Sequence, residues 1–379
     1  MSCCCEFQGC DKGAKVLGVI FDLDGTLLDT ERASRGVLNE FLARYGKELD
    51  REKEDKKRWA KAKALPGANR LIKHFQKNGV PVALASNSLR EYIDAKISYH
   101  KGWKESFSVI LGSDQVKAGK PSPYLFEEAA KKMGLDAINC LVIEDSFYQH
   151  NPQNKVITDE EATVPPVLKP IVEVDHQPIL WPYPNLHRYV WMAVECKRVG
   201  VKAANAAQMK IVAVPSEREA DCNGLANVVL HSLLEFQPEL WGLPPFDDWL
   251  DDTLPIEPIH LSGLYVTGCL EESTDNATLA LPDQVVGLYL GWAKIDTDRK
   301  FKILASINLD FSCVSYKRIR VYLVDSNSDL KQKQKMQISL VGYIRTWDNK
   351  ELSSTAFDKL EEYKSIARAS LDLPSFTCL

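Results

Sequence analysis

Residues Val16 to Phe21 form a short apolar run that ends abruptly in Asp22-Leu23-Asp24-Gly25-Thr26, and no other feature narrows the possible folds as much. A run of this length with polar residues only at its end reads as a strand buried on both faces of a parallel sheet. Open α/β sheets place their active sites at such strand ends. Residues two apart on an extended chain point the same way, so Asp22 and Asp24 can face one pocket. Paired carboxylates there suit phosphoryl transfer, one attacking phosphorus while the other carries the proton. Taken alone, Asp-x-Asp-Gly is also a common turn, so the rest of the chain has to decide.

Strand and helix alternate after this point, which predicts a parallel sheet with helices on both faces. Helical patterns cover Arg32 to Tyr45 and Arg51 to Lys63, and Leu65-Pro66-Gly67 opens a further helix that closes at Gly79. Val82 to Ala85 is a strand ending in Ser86-Asn87-Ser88, and Phe107 to Leu111 is another. Lys120, within Gly119-Lys120-Pro121-Ser122-Pro123, precedes a helix expected over Pro123 to Met133; the strand Cys140 to Ile143 ends in Glu144-Asp145-Ser146. Phe147 to Glu195 then holds seven prolines and no sustained period, the mark of an irregular insertion. The α/β pattern resumes with a helix over Lys202 to Met209, a strand over Lys210 to Val214 and a helix over Leu225 to Phe236. Prolines bracket an acidic segment with Asp247, Asp248, Asp251 and Asp252, which reads as a linker. Beyond it, Val285 to Ala293, Phe301 to Ile307, Ile319 to Val324 and Gln337 to Ile344 are strand-like runs without helices between them. With one amphipathic helix over Phe357 to Leu371, they predict a small β-barrel or sheet.

Four short motifs therefore stand at four strand or helix edges in one order: Asp22-Leu23-Asp24-Gly25-Thr26, Ser86-Asn87, Lys120 and Glu144-Asp145. In this they resemble the signatures of the haloacid-dehalogenase superfamily. The resemblance implies that Asp22 is a nucleophile forming an aspartyl-phosphate and that Asp24 protonates the leaving group and then activates water. It implies Mg²⁺ held by Asp22, the Asp24 carbonyl and Asp145 with Glu144 close by, and phosphate bound by Ser86 and Lys120, with Asn87 counted in the same group. Hard-cation coordination and hydrogen-bond donors offset the repulsion between a phosphate dianion and an incoming carboxylate. Asn87, Ser88 and Ser146 read as supporting hydrogen-bonding groups. Relatives carry a larger helical cap after the first motif, whereas about 35 residues separate Asp29 from Leu65 here. They also run straight from the fourth motif into a helix that Lys202-Ala203-Ala204-Asn205-Ala206-Ala207 resembles, displaced downstream by the insertion.

Trp241-Gly242-Leu243-Pro244-Pro245-Phe246 and Leu340-Val341-Gly342-Tyr343-Ile344-Arg345, with the stretches Leu65 to Asn87 and Ser98 to Lys120, resemble the plant bifunctional riboflavin kinase/FMN hydrolase family. That likeness implies a Rossmann-like haloacid-dehalogenase core with a shortened helical cap, followed by a small riboflavin-kinase-like β-barrel. The expected division is a flexible tail over 1–15, a phosphatase domain over 16–240 with a reduced cap at 30–64 and an insertion at 147–195, a linker over 241–258 and the barrel over 259–379. The kinase signature does not survive: Asp275-Asn276-Ala277-Thr278 lacks its proline, and Arg320 stands where a catalytic glutamate is expected. Arginine cannot act as a base at neutral pH. The barrel is thus expected to keep the fold without kinase activity, Thr278 and Arg320 marking a degenerate site.

With 45% hydrophobic and 26% charged residues, a net charge of -5 and no basic run, the chain is expected to bind neither nucleic acid nor an anionic membrane, and to act on a small phosphorylated molecule, FMN favoured by the resemblance. ATP and riboflavin become partners only if the kinase half works. Of ten cysteines, Cys3, Cys4, Cys5 and Cys10 cluster in the expected flexible tail, and the other six are scattered without metal-ligand spacing, which fits a reduced compartment; Val16 to Phe21 is too short for a signal peptide, so the cytosol is expected. Two other readings stay open: a non-catalytic flavin- or protein-binding relative, and a working riboflavin kinase.

Overall fold

The computed structural model describes residues 15–30, 62–145, 171–174, 177–180, 199–215, 224–271, 281–295, 300–310, 316–325, 334–346 and 356–376. The expected flexible tail up to residue 14, the two cap helices, Ser146, most of the insertion and Thr278 lie outside the described residues. Ile171–Val174 (β5) and Gln177–Leu180 (β6), within the insertion, pair as an antiparallel two-stranded sheet.

The first sheet is wholly parallel. Gly18–Phe21 (β1) lies between Val82–Ala85 (β2) and Cys140–Glu144 (β4); Val109–Leu111 (β3) extends one side, Lys210–Ala213 (β7) and Val228–Val229 (β8) the other. The order β3-β2-β1-β4-β7-β8 makes the chain wind outward from β1 in one direction and from β4 in the other. The β1/β4 junction is therefore the switch point, where a crevice opens beyond the carboxyl ends of the strands.

Side chains alternate across this sheet as a period of two requires. Val19, Phe21, Leu141 and Ile143 face one core with Leu71 and Phe75 of helix α1 (Ala68–Lys77), while Ile20, Cys140 and Val142 face a second core with Leu125, Phe126, Ala203 and Ala204. The second core is closed by α4 (Tyr124–Lys132) and α5 (Gly200–Ala206); α2 (Arg90–Ile97) and the short α3 (Trp103–Ser106) lie on the first side. The sequence Leu225 to Phe236 is not the helix expected: Val228 and Val229 add the sixth strand beside β7, and Ser232 caps a single 3₁₀ turn over Leu233–Glu235. A short apolar run fits either period, and here the open edge of β7 takes it as strand.

The second sheet is a closed antiparallel barrel in the order β10-β13-β12-β11-β14-β9. Its strands are Leu254–Val266 (β9), Cys269–Glu271 (β10), Gly287–Ile295 (β11), Lys300–Asp310 (β12), Tyr316–Leu323 (β13) and Gln334–Arg345 (β14), and α6 (Ala356–Ser370) packs outside on Leu288, Leu290 and Leu304. Strand β9 begins at Leu254, inside the segment expected as linker. Pro255 and Pro258 hid it from sequence reasoning, because proline interrupts a ladder except at irregularities. Pro255 pairs with Gly342, next to a shift of register in β14.

The two halves touch through specific groups. Leu233 packs in the α/β core and its neighbour Leu234 in the barrel core. Arg70 on α1 donates two 2.7 Å hydrogen bonds to Asp248 with its guanidinium over Phe246, and Asn69 donates to Glu257 of β9. Among the described residues, no helix is long and apolar enough to cross a membrane. Phe75, fully buried with Phe21 and Phe236 each 6.2 Å away between ring centres, is the main filler of the first core. Phe75→Ala is expected to cost about 3–5 kcal/mol, the range for aromatic truncation in a packed core, read from equilibrium denaturant unfolding.

Candidate active site

Four motif residues from distant parts of the chain meet at the switch point. Asp22 leaves the end of β1, Glu144 and Asp145 the end of β4, and Lys120 the loop before α4. Lys120 Nζ lies 2.5 Å from Asp22 Oδ1 and 2.5 Å from Glu144 Oε1, all three side chains being buried. Asp22, Glu144 and Asp145 each present a carboxylate oxygen within 4.8 Å of the others. Thr26, one turn on from Asp22, places its hydroxyl 3.3 Å from an oxygen of Asp22 and 3.3 Å from one of Asp145.

Burial, which disfavours the charged form, pushes the Asp22 carboxyl up to about 7 against the pull of Lys120, and Glu144 and Asp24 add to the rise. For Lys120 the charges outweigh burial: burial opposes its charged form, but Asp22 and Glu144 hold it above the ordinary lysine range. Three buried carboxylates whose oxygens lie this close together suit a hard divalent cation.

Two glycines let the backbone approach these carboxylates. Gly25 has φ +90°, and a Cβ there would lie 2.1 Å from Asp145 Oδ2. Gly200, the first residue of α5, is tighter still, a Cβ meeting Glu144 Oε1 at 1.7 Å. The helix that follows the insertion thus returns against the Glu144 carboxylate, two residues earlier than the sequence pattern indicated. Likewise the segment expected as cap leaves and returns at one point, since Asp29 N donates to Lys63 O and Leu65 N to Leu27 O.

Asp24 sits apart from the Lys120 cluster. Lys96 Nζ lies 2.7 and 2.8 Å from its two carboxylate oxygens, Ser88 Oγ donates at 2.9 Å, and Ser86 Oγ is 3.4 Å away. Burial would raise this carboxyl, yet the Lys96 charge and hydrogen bonds from Lys96 and Ser88 outweigh it and hold it below the usual range. Asn87 does not point at the site as a phosphate ligand: its amide accepts from Lys120 N at 2.8 Å and donates to Lys120 O at 3.1 Å, which fixes the lysine's backbone. Thr26, Gly200 and Lys96 were not singled out in the sequence. Only Lys96 left a signal, a lysine on the buried stripe of α2 with Ile93 and Ile97.

In the barrel, Arg320 lies on β13 opposite Ser306 of β12 and Cys269 of β10. Ser306 and Asn308 are buried, and Asn308 donates to Ser306 Oγ at 2.9 Å.

Two family models match the chain: haloacid dehalogenase-like hydrolase over residues 38–148 and Riboflavin kinase over residues 269–367. The bifunctional riboflavin kinase/FMN phosphatase of Arabidopsis thaliana is 34% identical over 406 residues, with 94% of each chain covered. The (DL)-glycerol-3-phosphatase 1, mitochondrial, of the same plant is 29% identical, covering 61% of this chain and 74% of its own. The probable pseudouridine-5'-phosphatase of Drosophila melanogaster is 29% identical over 62% of this chain and 97% of its own.

The contact between Gly200 and Glu144 is directly testable. Gly200→Ala is expected to destabilise the protein by about 1–3 kcal/mol through overpacking, whereas Asn205→Ala, exposed on the same helix, stays within about 0.5 kcal/mol. Unfolding midpoints of the two variants beside the parent check both.

Proposed function

The chain belongs to the bifunctional riboflavin kinase/FMN phosphatase family, and from that premise we propose that it hydrolyses FMN to riboflavin and phosphate with Mg²⁺, through an aspartyl-phosphate on Asp22. The observation that carries the proposal is the convergence of Asp22, Glu144 and Asp145 around Lys120 at the β1/β4 switch point.

The chemistry follows from the placement of the groups. An Asp22 oxygen bonds to phosphorus as the ester P–O bond breaks, and the departing oxygen takes a proton that the phosphate monoanion brings in and Asp24 relays, since Lys96 holds the resting Asp24 carboxyl ionised. Water then attacks the acyl phosphate, passes its proton through Asp24 to the departing phosphate and frees Asp22, so the site is regenerated. Lys120 draws Asp22 toward its anion and aims it, and Ser86 is the donor we assign to a non-bridging phosphate oxygen. A divalent cation would be held by Asp22, Asp145 and the Asp24 carbonyl with Glu144 close by, and it supplies charge neutralisation on the phosphoryl oxygens. FMN is the substrate of choice because a family relative that matches 94% of the chain is named for it.

In the same reading residues 16–240 make up the hydrolase half, residues 254–379 the barrel half, and the barrel lacks kinase activity. Support for that last point comes from Arg320, whose guanidinium cannot take a proton from a riboflavin hydroxyl. ATP and riboflavin incubated with the full chain are expected to give no FMN, and appearance of FMN would reverse this part of the reading.

Purified protein with FMN and Mg²⁺ is expected to release phosphate, with loss of about a thousandfold or more in Asp22→Asn and full loss on chelation. Absence of release from FMN and from a generic ester would instead favour a non-catalytic, flavin-binding relative. Metal affinity carries a pH signature of its own. Because Asp22 without a cation titrates at about 7, Mg²⁺ must displace a proton below that pH, and the apparent affinity is expected to weaken as pH falls from 8 to 6. Calorimetric Mg²⁺ titrations across that range check the sign.

A further inference from the structure

Lysine on the buried stripe of a helix is costly unless its ammonium finds a partner. Lys96 is 8% exposed and lies on α2 among the residues that face inward, with Ile93 and Ile97. Its ammonium meets both Asp24 oxygens and Ser88 Oγ, the last at 2.9 Å, and Ser88 itself donates to Asp24. Ser88 is fixed in turn, its backbone N–H donating to Ser86 Oγ at 3.1 Å. Lys120 cannot take this part, being occupied with Asp22 and Glu144.

The carboxylate of an aspartate turns about two torsions, and a proton donor that turns freely spends little time aligned with the bond that must break. The contacts from Lys96 and Ser88 remove that freedom. We infer that Lys96 is a positioning residue that holds Asp24 toward the leaving-group oxygen, and that it thereby decides how well the site cleaves esters whose leaving group must be protonated. This rests on the phosphatase reading above.

The inference separates two kinds of ester. An aliphatic alkoxide, such as the ribityl oxygen of FMN, leaves phosphorus only as it gains a proton; nitrophenolate leaves without one. Losing the alignment of Asp24 therefore slows the first kind and spares the second. A merely structural lysine would affect both alike.

The experiment is leaving-group release in a single turnover by the full chain with Mg²⁺, using FMN with glycerol phosphate beside it as aliphatic esters and p-nitrophenyl phosphate as the aryl ester. Lys96→Met is expected to slow release from the aliphatic esters by about a hundredfold, the scale of a lost proton-transfer group, and nitrophenolate release by no more than about threefold. KM for each ester should stay within about twofold, since the phosphoryl contacts are untouched. Lys96→Arg, which keeps a cation on the carboxylate, should restore most of the rate. Should Lys96→Met fail to fold, Ser88→Ala removes the other donor to Asp24 and is expected to show the same selectivity at about tenfold. Equal slowing on both kinds of ester, or no slowing, overturns the role of Lys96 while leaving the phosphatase reading intact. A parent protein that cleaves none of these esters overturns that reading and this role with it.

Discussion

Lys120 holds together a site that its own surroundings would otherwise drive apart. Three carboxylates, Asp22, Glu144 and Asp145, are buried at the junction of two neighbouring strands. Like charges at that spacing repel strongly once water is removed. A single ammonium between Asp22 and Glu144 offsets part of that repulsion and couples the loop before α4 to β1 and β4. Such a pair is weak evidence for stability, because desolvation consumes most of its attraction, but removing one partner would leave an uncompensated charge. Its value lies in geometry, and Asn87 fixes that geometry by holding the Lys120 backbone through both atoms of its amide.

The same constraint explains where glycine is required. Gly25 and Gly200 stand where any side chain would collide with a carboxylate oxygen, one in the turn after β1 and the other at the start of α5. Between Asp145 and Gly200 the chain makes a long excursion, yet β4, α5 and β7 remain neighbours: β4 pairs with β7 in register from Leu141 to Glu144, and the small residues Ala203 and Ala204 fit α5 closely against the sheet. Loop-closure entropy grows slowly with length, so an excursion of this size is tolerated when its ends are anchored by packing and pairing.

Much of this was legible in the sequence because each motif sits at the end of an apolar run, where a period of two and the direction of a parallel strand leave few alternatives. Asp22, Glu144 and Asp145 could be placed at one sheet edge from those runs alone. The second partner of Asp24 could not, since Lys96 lies between apolar residues in a helix whose position over the sheet depends on tertiary packing. Asn87 was legible as a polar strand-end residue, but its orientation toward the backbone of Lys120 follows from a loop more than thirty residues away. The helix expected over Leu225 to Phe236 failed for a related reason: an unpaired strand edge outweighs helical propensity in a run too short to display its period. Two prolines concealed β9, which closes the barrel against β14 and β10.

The barrel is bound into the rest of the molecule. Leu234 contributes to the barrel core one residue after Leu233 contributes to the α/β core, so the two cores meet at a single turn. Gln284, 5% exposed and leading into β11, donates to the carbonyl of Gly25 at 3.1 Å, in the turn that follows Asp24. The segment carrying Gln284 is anchored in its own half by Lys317, which donates to the carbonyls of Pro282 and Val285, and by the Tyr289 hydroxyl on Val286 O. Loss of the barrel fold would therefore expose Leu234 and leave the Gly25 carbonyl without this donor, whatever became of the riboflavin chemistry.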